Sequence, residues 1–289
     1  MTQIGARALV AWPLLVAEIL ILGTAAFALL LAPDTQSEEV AKALTPLWRG
    51  LGVVAVLFSP LALLVGTANM GDLSLRAAIP FLPQVIRETH FGHIWSWSFP
   101  LTLALLVIPW IPGRGRAKTV ALGLVACTLI LLVSFSSHAI DRGAIAVIVY
   151  FIHEVAAALW IGAILGLWFG AVRGGLGSAW VLQTAPRVSS VAGWTVTILV
   201  LSGLYTAYYS LGADPHRLID AAYGRTLVDK ICAAMLVLLI GAYNRYWVMP
   251  AVSESSAQAS LLRNVGIESI LLIGVLGLAA LLANTPPAH

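Results

Sequence analysis

Residues 145–170 read IAVIVYFIHEVAAALWIGAILGLWFG. Only two side chains in this run have ordinary pKa values at or below neutrality, the adjacent His153 and Glu154. A bilayer core is crossed by about 20 apolar residues of helix. The run therefore predicts a membrane-spanning helix carrying an imidazole and a carboxylate about two turns below one end. The stretch before it, Ser137-His138-Ala139-Ile140-Asp141-Arg142, reads as a short turn from a preceding span.

Working outward, seven more runs have the length and apolarity of spans: about 8–31, 50–70, 93–111, 119–137, 188–210, 227–249 and 262–284. The expectation is an all-α polytopic membrane protein, a bundle of eight transmembrane helices forming one domain over residues 1–289. Bulk composition agrees: 60% of residues are apolar and 10% charged, against about 25% charged in soluble domains. The net charge of +3 is spread along the chain, so no nucleic-acid footprint is present. Cys127 and Cys232 sit in apolar runs and form no Cys-x-x-Cys, which gives neither a disulfide framework nor a zinc ribbon. The first run is longer than a signal-peptide core and is read as a retained helix.

Pro33, Pro46, Pro80, Pro83, Pro112, Pro186, Pro215, Pro250 and Pro286 are expected in connections or at helix ends, and Pro60 inside a span. Residues 72–88 mix Arg76, Pro80, Pro83 and Arg87 with Leu73, Leu75, Ile79, Phe81 and Val85. This predicts an interfacial segment along one membrane face. Trp48, Trp95, Trp97, Trp110, Trp180 and Trp247 fall near predicted ends, as in an aromatic belt. One set of connections holds Lys42, Arg49, Arg114, Arg116, Lys118, Arg173, Arg187, Arg245 and Arg263; the other holds Arg7, Arg76, Arg87, Arg142, Arg217 and Arg225. The positive-inside rule then puts the first set in the cytoplasm and both termini in the periplasm. All six histidines, including His216 and the terminal His289, fall in the outer half under this orientation.

Imidazole is a common ligand for copper, zinc and iron. His90 and His93 share a helix face at i, i+3. Met70 ends the preceding span on the same side with a soft thioether, which suits Cu(I). His138 ends the fourth span, while His153 and Cys232 lie deeper. An outer metal-capture site of His90, His93, His138 and Met70 above a deeper pair, His153 and Cys232, is one reading; histidines that solvate helix ends or tie neighbouring helices are the other. Glu18, Glu154, Lys230, Asn244, Arg245 and Glu268 are ionisable or polar groups within or beside spans, where such groups are costly and face partners or cavities. They are candidates for a transport path or its proton coupling. The plain alternatives are pairing of Glu154 with Lys230 or Arg142, and an Arg245–Glu268 ion pair. No nucleophile–base arrangement and no phosphate-cradling loop is found, so the chain is not expected to be an enzyme.

These pieces resemble the copper resistance D family of bacterial inner-membrane proteins. The resemblance runs from about 150 to 289 through His153 with Trp160-Ile-Gly162, Ser202-Gly203-Leu-Tyr205, Tyr223-Gly224-Arg225-Thr-Leu-Val-Asp-Lys230, Asn244-Arg245, Pro250, Leu262-Arg263, Glu268 and Pro286-Pro287. Thr89-His-Phe91-Gly92-His93-Ile-Trp95 carries a looser likeness in the first half. The resemblance implies an eight-helix inner-membrane protein that handles copper. Three functional readings follow. The first is copper transport, as uptake from periplasm to cytoplasm with Cu(I) as the favoured species. The second is a haem-binding electron carrier. The third is a scaffold in the lipid bilayer that passes copper to a periplasmic copper-binding protein.

Overall fold

The computed structural model of the chain describes residues 3–113, 115–137 and 139–288. The α-helices follow in order as α1 (Gln3–Ala26), α2 (Ser37–Met70), α3 (Leu75–Ala78), α4 (Leu82–Glu88), α5 (His90–Val107), α6 (Gly115–Phe135), α7 (Ala144–Trp168), α8 (Ser178–Ser210), α9 (Arg217–Asp220), α10 (Ala222–Tyr243) and α11 (Ser255–Ala283). Among the described residues no strand occurs, and eight helical stretches are long and apolar enough to cross a membrane. They are built on α1, α2, α5, α6, α7, α8, α10 and α11. The chain is an all-α polytopic membrane protein.

The first helix lies at the centre. From Ala8 to Leu31 its one charged residue is Glu18, and a helix apolar on every face is a buried one. Ala17, Ile19, Ile21 and Ala25 are wholly buried. Helix α1 packs against α2 and α6 on one side and α7 and α11 on the other. Lipid supplies no hydrophobic drive between helices, so close backbone approach must supply dispersion energy instead. Gly23 and Gly162 permit that approach between α1 and α7. A Cβ on Gly23 would stand 1.9 Å from the Ala158 carbonyl oxygen, and one on Gly162 would stand 2.0 Å from the Gly23 carbonyl carbon.

Indole donors tie the other contacts. Trp48 Nε1–H donates to Thr24 Oγ1 at 2.9 Å, joining α2 to α1. Trp12 Nε1–H donates to the Ile273 carbonyl at 3.0 Å, joining α1 to α11. Trp95 does the same between α5 and Ser59 of α2. Two tryptophans expected in an interfacial belt, Trp48 and Trp180, are instead buried in the core; Trp97, Trp110 and Trp247 are exposed.

Helices α2 and α8 begin well before their apolar runs, and Pro46 and Pro186 therefore lie inside helices rather than in connections. The cause is an amphipathic extension. Val40, Ala41, Leu44 and Trp48 of α2, and Trp180, Val181, Ala185 and Val188 of α8, repeat at helical spacing and are buried. Pro46 withholds an N–H from the carbonyl of Lys42, an exposed residue, so the loss costs little. Helices α7 and α11 pack against each other and back onto α1, while α8 lies on α7 and α10 lies on α11. Outer faces of α8 and α10 are exposed at Trp194, Leu201, Leu204, Leu236 and Leu239, the surface that lipid covers.

Replacing Gly162 by Val should destabilise the protein by about 3 kcal/mol or more, the upper range for overpacking. Gly50→Ala, where an added Cβ meets nothing within 4 Å, should be near neutral. Thermal unfolding of the two variants in detergent reads the difference.

Candidate functional site: two cavities in the second half

Tyr150, His153 and Glu154 stand at i, i+3 and i+4 on α7, so they share one face. That face meets Tyr205 and Thr206 of α8, Tyr223 and Lys230 of α10, and Arg142 from the turn before α7. The space between them is a cavity of about 120 Å³. His153 Nδ1 lies 2.8 Å from Ser202 Oγ. The Ser202 hydroxyl spends its single proton on the Ile198 carbonyl at 2.6 Å. It can therefore only accept from His153, which places the neutral ring's proton on Nδ1 and leaves Nε2 a lone-pair donor. Nε2 has no protein partner among the described residues. Gly203 borders the ring, where an added Cβ would sit in ordinary contact, 3.7 Å from His153 Cε1. This is the arrangement by which an outer partner orients an imidazole for a metal.

Glu154 is buried and faces Lys230 across the cavity, with the Tyr150 phenol in hydrogen-bonding reach. Contact ion pairs among the described residues join Arg116 to Asp34 and Arg217 to Asp214. Lys230 and Glu154 therefore attract each other without touching. Glu18 of α1 lies behind Glu154 and within its field, outside the cavity lining.

A second cavity, about 230 Å³, opens at the opposite ends of the same four helices. Trp160 and Ile164 of α7, Ser189 and Gly193 of α8, Gly241 of α10 and Val265 of α11 line it, with Asn244, Arg245 and Glu268. A wide π-helical turn, Asn244–Val248, continues α10 and turns Asn244 inward. Asn264 donates to Asn244 Oδ1 at 2.8 Å, and Asn244 Nδ2 donates to Glu268 Oε1. All three are buried. The ion pair between Arg245 and Glu268 weighed from the sequence is not made. Asn244 takes the carboxylate, and Arg245, about 100° further round the helix, donates to the Ser189 carbonyl at 3.0 Å.

The remaining sequence candidates do not join either cavity. Met70, His90, His93 and Cys232 are all exposed and line neither. His90 Nε2 is bonded to the Phe135 carbonyl at 2.9 Å, and His93 Nε2 to the Arg87 carbonyl at 2.8 Å. Both rings tie helix corners. Cys232 follows Lys230 by two residues and so points to the far side of α10. His216 is exposed at the turn before α9. His138 and His289 lie outside the described residues. Among the described residues no group of three or more His, Cys, Asp or Glu is placed to hold a metal. Arg142, Tyr150, Tyr205 and Tyr223 line the first cavity although none was expected as a metal or path residue, and Ser202 and Asn264 support the linings through His153 and Asn244. The spacing of Tyr150 to His153 and Glu154 was the available signal for the first of the tyrosines.

Asn244→Leu removes a donor to Glu268 and an acceptor for Asn264 at once. Leaving buried polar groups unpaired costs about 1–3 kcal/mol each, so this variant should unfold at a clearly lower temperature in detergent. Arg245→Gln, at an exposed position, should shift it far less.

Comparison with known proteins agrees with this architecture. Residues 1–145 match the model of the copper resistance protein D-like N-terminal domain, and residues 182–282 match that of copper resistance protein D. The chain is similar to the inner membrane protein YebZ of Escherichia coli (strain K12), with 26% identity over 246 residues, 84% of each chain. No solved structure matches. With the N-terminal model spanning half of its length and the second model falling on α8, α10 and α11, three of the four helices that carry the cavities, the chain belongs to the copper resistance protein D family.

Proposed function

We propose that the protein carries copper across the bacterial inner membrane through the unit formed by α7, α8, α10 and α11, in the inward direction. The observation that carries this reading is the pair of cavities at opposite ends of those four helices. His153 and Glu154 line one and Trp160 the other on α7, a separation of about 9 Å along the helix. Lys230 and Val237 bound the same gap on α10. By helical position, Ala156 and Ala157 of α7, Leu199 of α8, Ala233 of α10 and the buried Leu272, Val275 and Leu276 of α11 fall between the two linings. A short apolar layer between two cavities, each lined by a buried carboxylate, suits an ion that must bind and then leave.

His153 Nε2 supports the copper assignment as a lone-pair donor held in position from behind. The cavity offers nitrogen and oxygen donors and no sulfur, since Met70 and Cys232 lie elsewhere. That donor set suits Cu(II) better than Cu(I), a revision of the thioether-based expectation. The direction follows from charge. Arg116, Lys118, Arg173, Arg187 and Arg263 gather with the Glu268 end, and the positive-inside rule puts that end in the cytoplasm. The His153 end then faces the periplasm, where the segment of α3 and α4, with Leu75, Ile79 and Phe81 exposed, lies along the membrane surface. A periplasmic copper-binding protein would deliver there. No residues are assigned a catalytic role; the chain acts as a carrier.

His153→Ala keeps the Ser202–Ile198 bond and the fold but removes the donor. It should lower cellular copper accumulation to the level of cells lacking the protein, with equal amounts of protein in the membrane. Metal analysis of washed cells reads this, and accumulation at the wild-type level would contradict the path.

A further inference from the structure

The cavity beside His153 is poorly made for a naked cation. Two of its charged side chains are basic, Arg142 and Lys230, and one is acidic, Glu154. Arg142 Nη2 is buried there with no hydrogen-bond partner among the described residues. A buried guanidinium nitrogen without an acceptor is rare, and it calls for a missing partner. Guanidinium and ammonium groups donate only, so the missing partner is an acceptor, and the local excess of positive charge selects an anionic one. Tyr205 and Tyr223 line the same wall, with the Tyr223 hydroxyl hydrogen-bonded to Ser210.

The metal side is equally incomplete. The cavity supplies a bare ion with one imidazole and one carboxylate, and nowhere among the described residues do three such ligands converge. Like charges would also oppose its approach to Lys230 and Arg142. Both deficits are met by a single ligand chemistry.

We propose that this cavity takes copper as a carboxylate chelate, in which the outer oxygens of a small dicarboxylate dock on Arg142 and Lys230 and the metal faces His153 Nε2. The proposal rests on the reading of this cavity as the place where copper is admitted, and it names the form in which copper is recognised. The cavity, at about 120 Å³, holds several water-sized groups, enough for a metal ion with a two-carbon dicarboxylate and too little for a large chelator. The chelator's inner oxygens bind copper, and its outer oxygens accept from the guanidinium in the two-pronged geometry that Arg prefers.

The test uses the full-length protein in detergent with Cu(II) and ¹⁴C-labelled oxalate. Labelled oxalate should be retained only with copper, in a one-to-one ratio with it. Arg142→Gln should weaken retention at least tenfold, and Arg142→Lys should restore part of it. Should Arg142→Gln fail to fold, the wild type alone decides: excess unlabelled Cu(II)–oxalate should displace the label, whereas excess Cu(II)–ethylenediamine, which presents no outer carboxylate oxygen, should not. Copper bound without oxalate, oxalate retention untouched by Arg142→Gln, or a label displaced equally by both copper chelates would overturn the proposal while leaving the copper path standing. Failure of the wild type to retain copper with or without oxalate would overturn both.

Discussion

A charged side chain inside a bilayer needs a partner or water, and this constraint organises the second half of the molecule. Glu154, Lys230, Arg142 and His153 could each be buried alone only at great cost. Gathered around one cavity, they lie within each other's fields among apolar helices. Glu268 obeys the same constraint at the other end. There the partner is an amide, Asn244, itself held by Asn264. An amide leaves the carboxylate free to change its charge in a way that a tight arginine pair would resist. Arg245 stands nearby but is engaged with the backbone of α8.

The first half supplies the frame. Helix α1 meets α2 and α6 as well as α7 and α11, so the cavity-bearing helices are not a separable unit. Its contact with α7 runs through Gly23 and Gly162 at backbone distance, one turn to two turns below Glu154. Glu18 reaches toward Glu154 from the same helix. Rigid packing on the α1 side contrasts with the α8 and α10 side, where few residues are buried. Movement that exposes one cavity and then the other falls most easily on α8 and α10, with α7 and α11 held to α1.

Much of this was legible in the sequence. Eight apolar runs, each near the length of a bilayer crossing, predicted the eight helices, and His153-Glu154 within a span pointed to the cavity. The sequence also picked out Glu268 and Asn244 as a pair of interest. It misjudged what joins them, because the π-helical turn at Asn244–Val248 shifts the register by which Arg245 would have faced inward. It also weighted histidines and sulfur by type. His90 and His93 bind carbonyls at helix corners, and Cys232 points away from the bundle, facts set by helix orientation that composition does not carry. Arg142 was named as a possible partner of Glu154, but an arginine in a short loop reads as solvated, and only the fold shows it lining the cavity with a buried, unpartnered nitrogen.

The central claim is passage between the two cavities, and flux tests it most directly. Full-length protein in sealed vesicles should move radioactive copper from the side of His153 to the side of Glu268. Ala233→Phe, which fills the thin layer on α10 without touching either cavity's polar groups, should abolish that flux while copper still binds at the His153 side. Flux that continues undiminished through Ala233→Phe, or wild-type vesicles that bind copper yet pass none, would contradict the account.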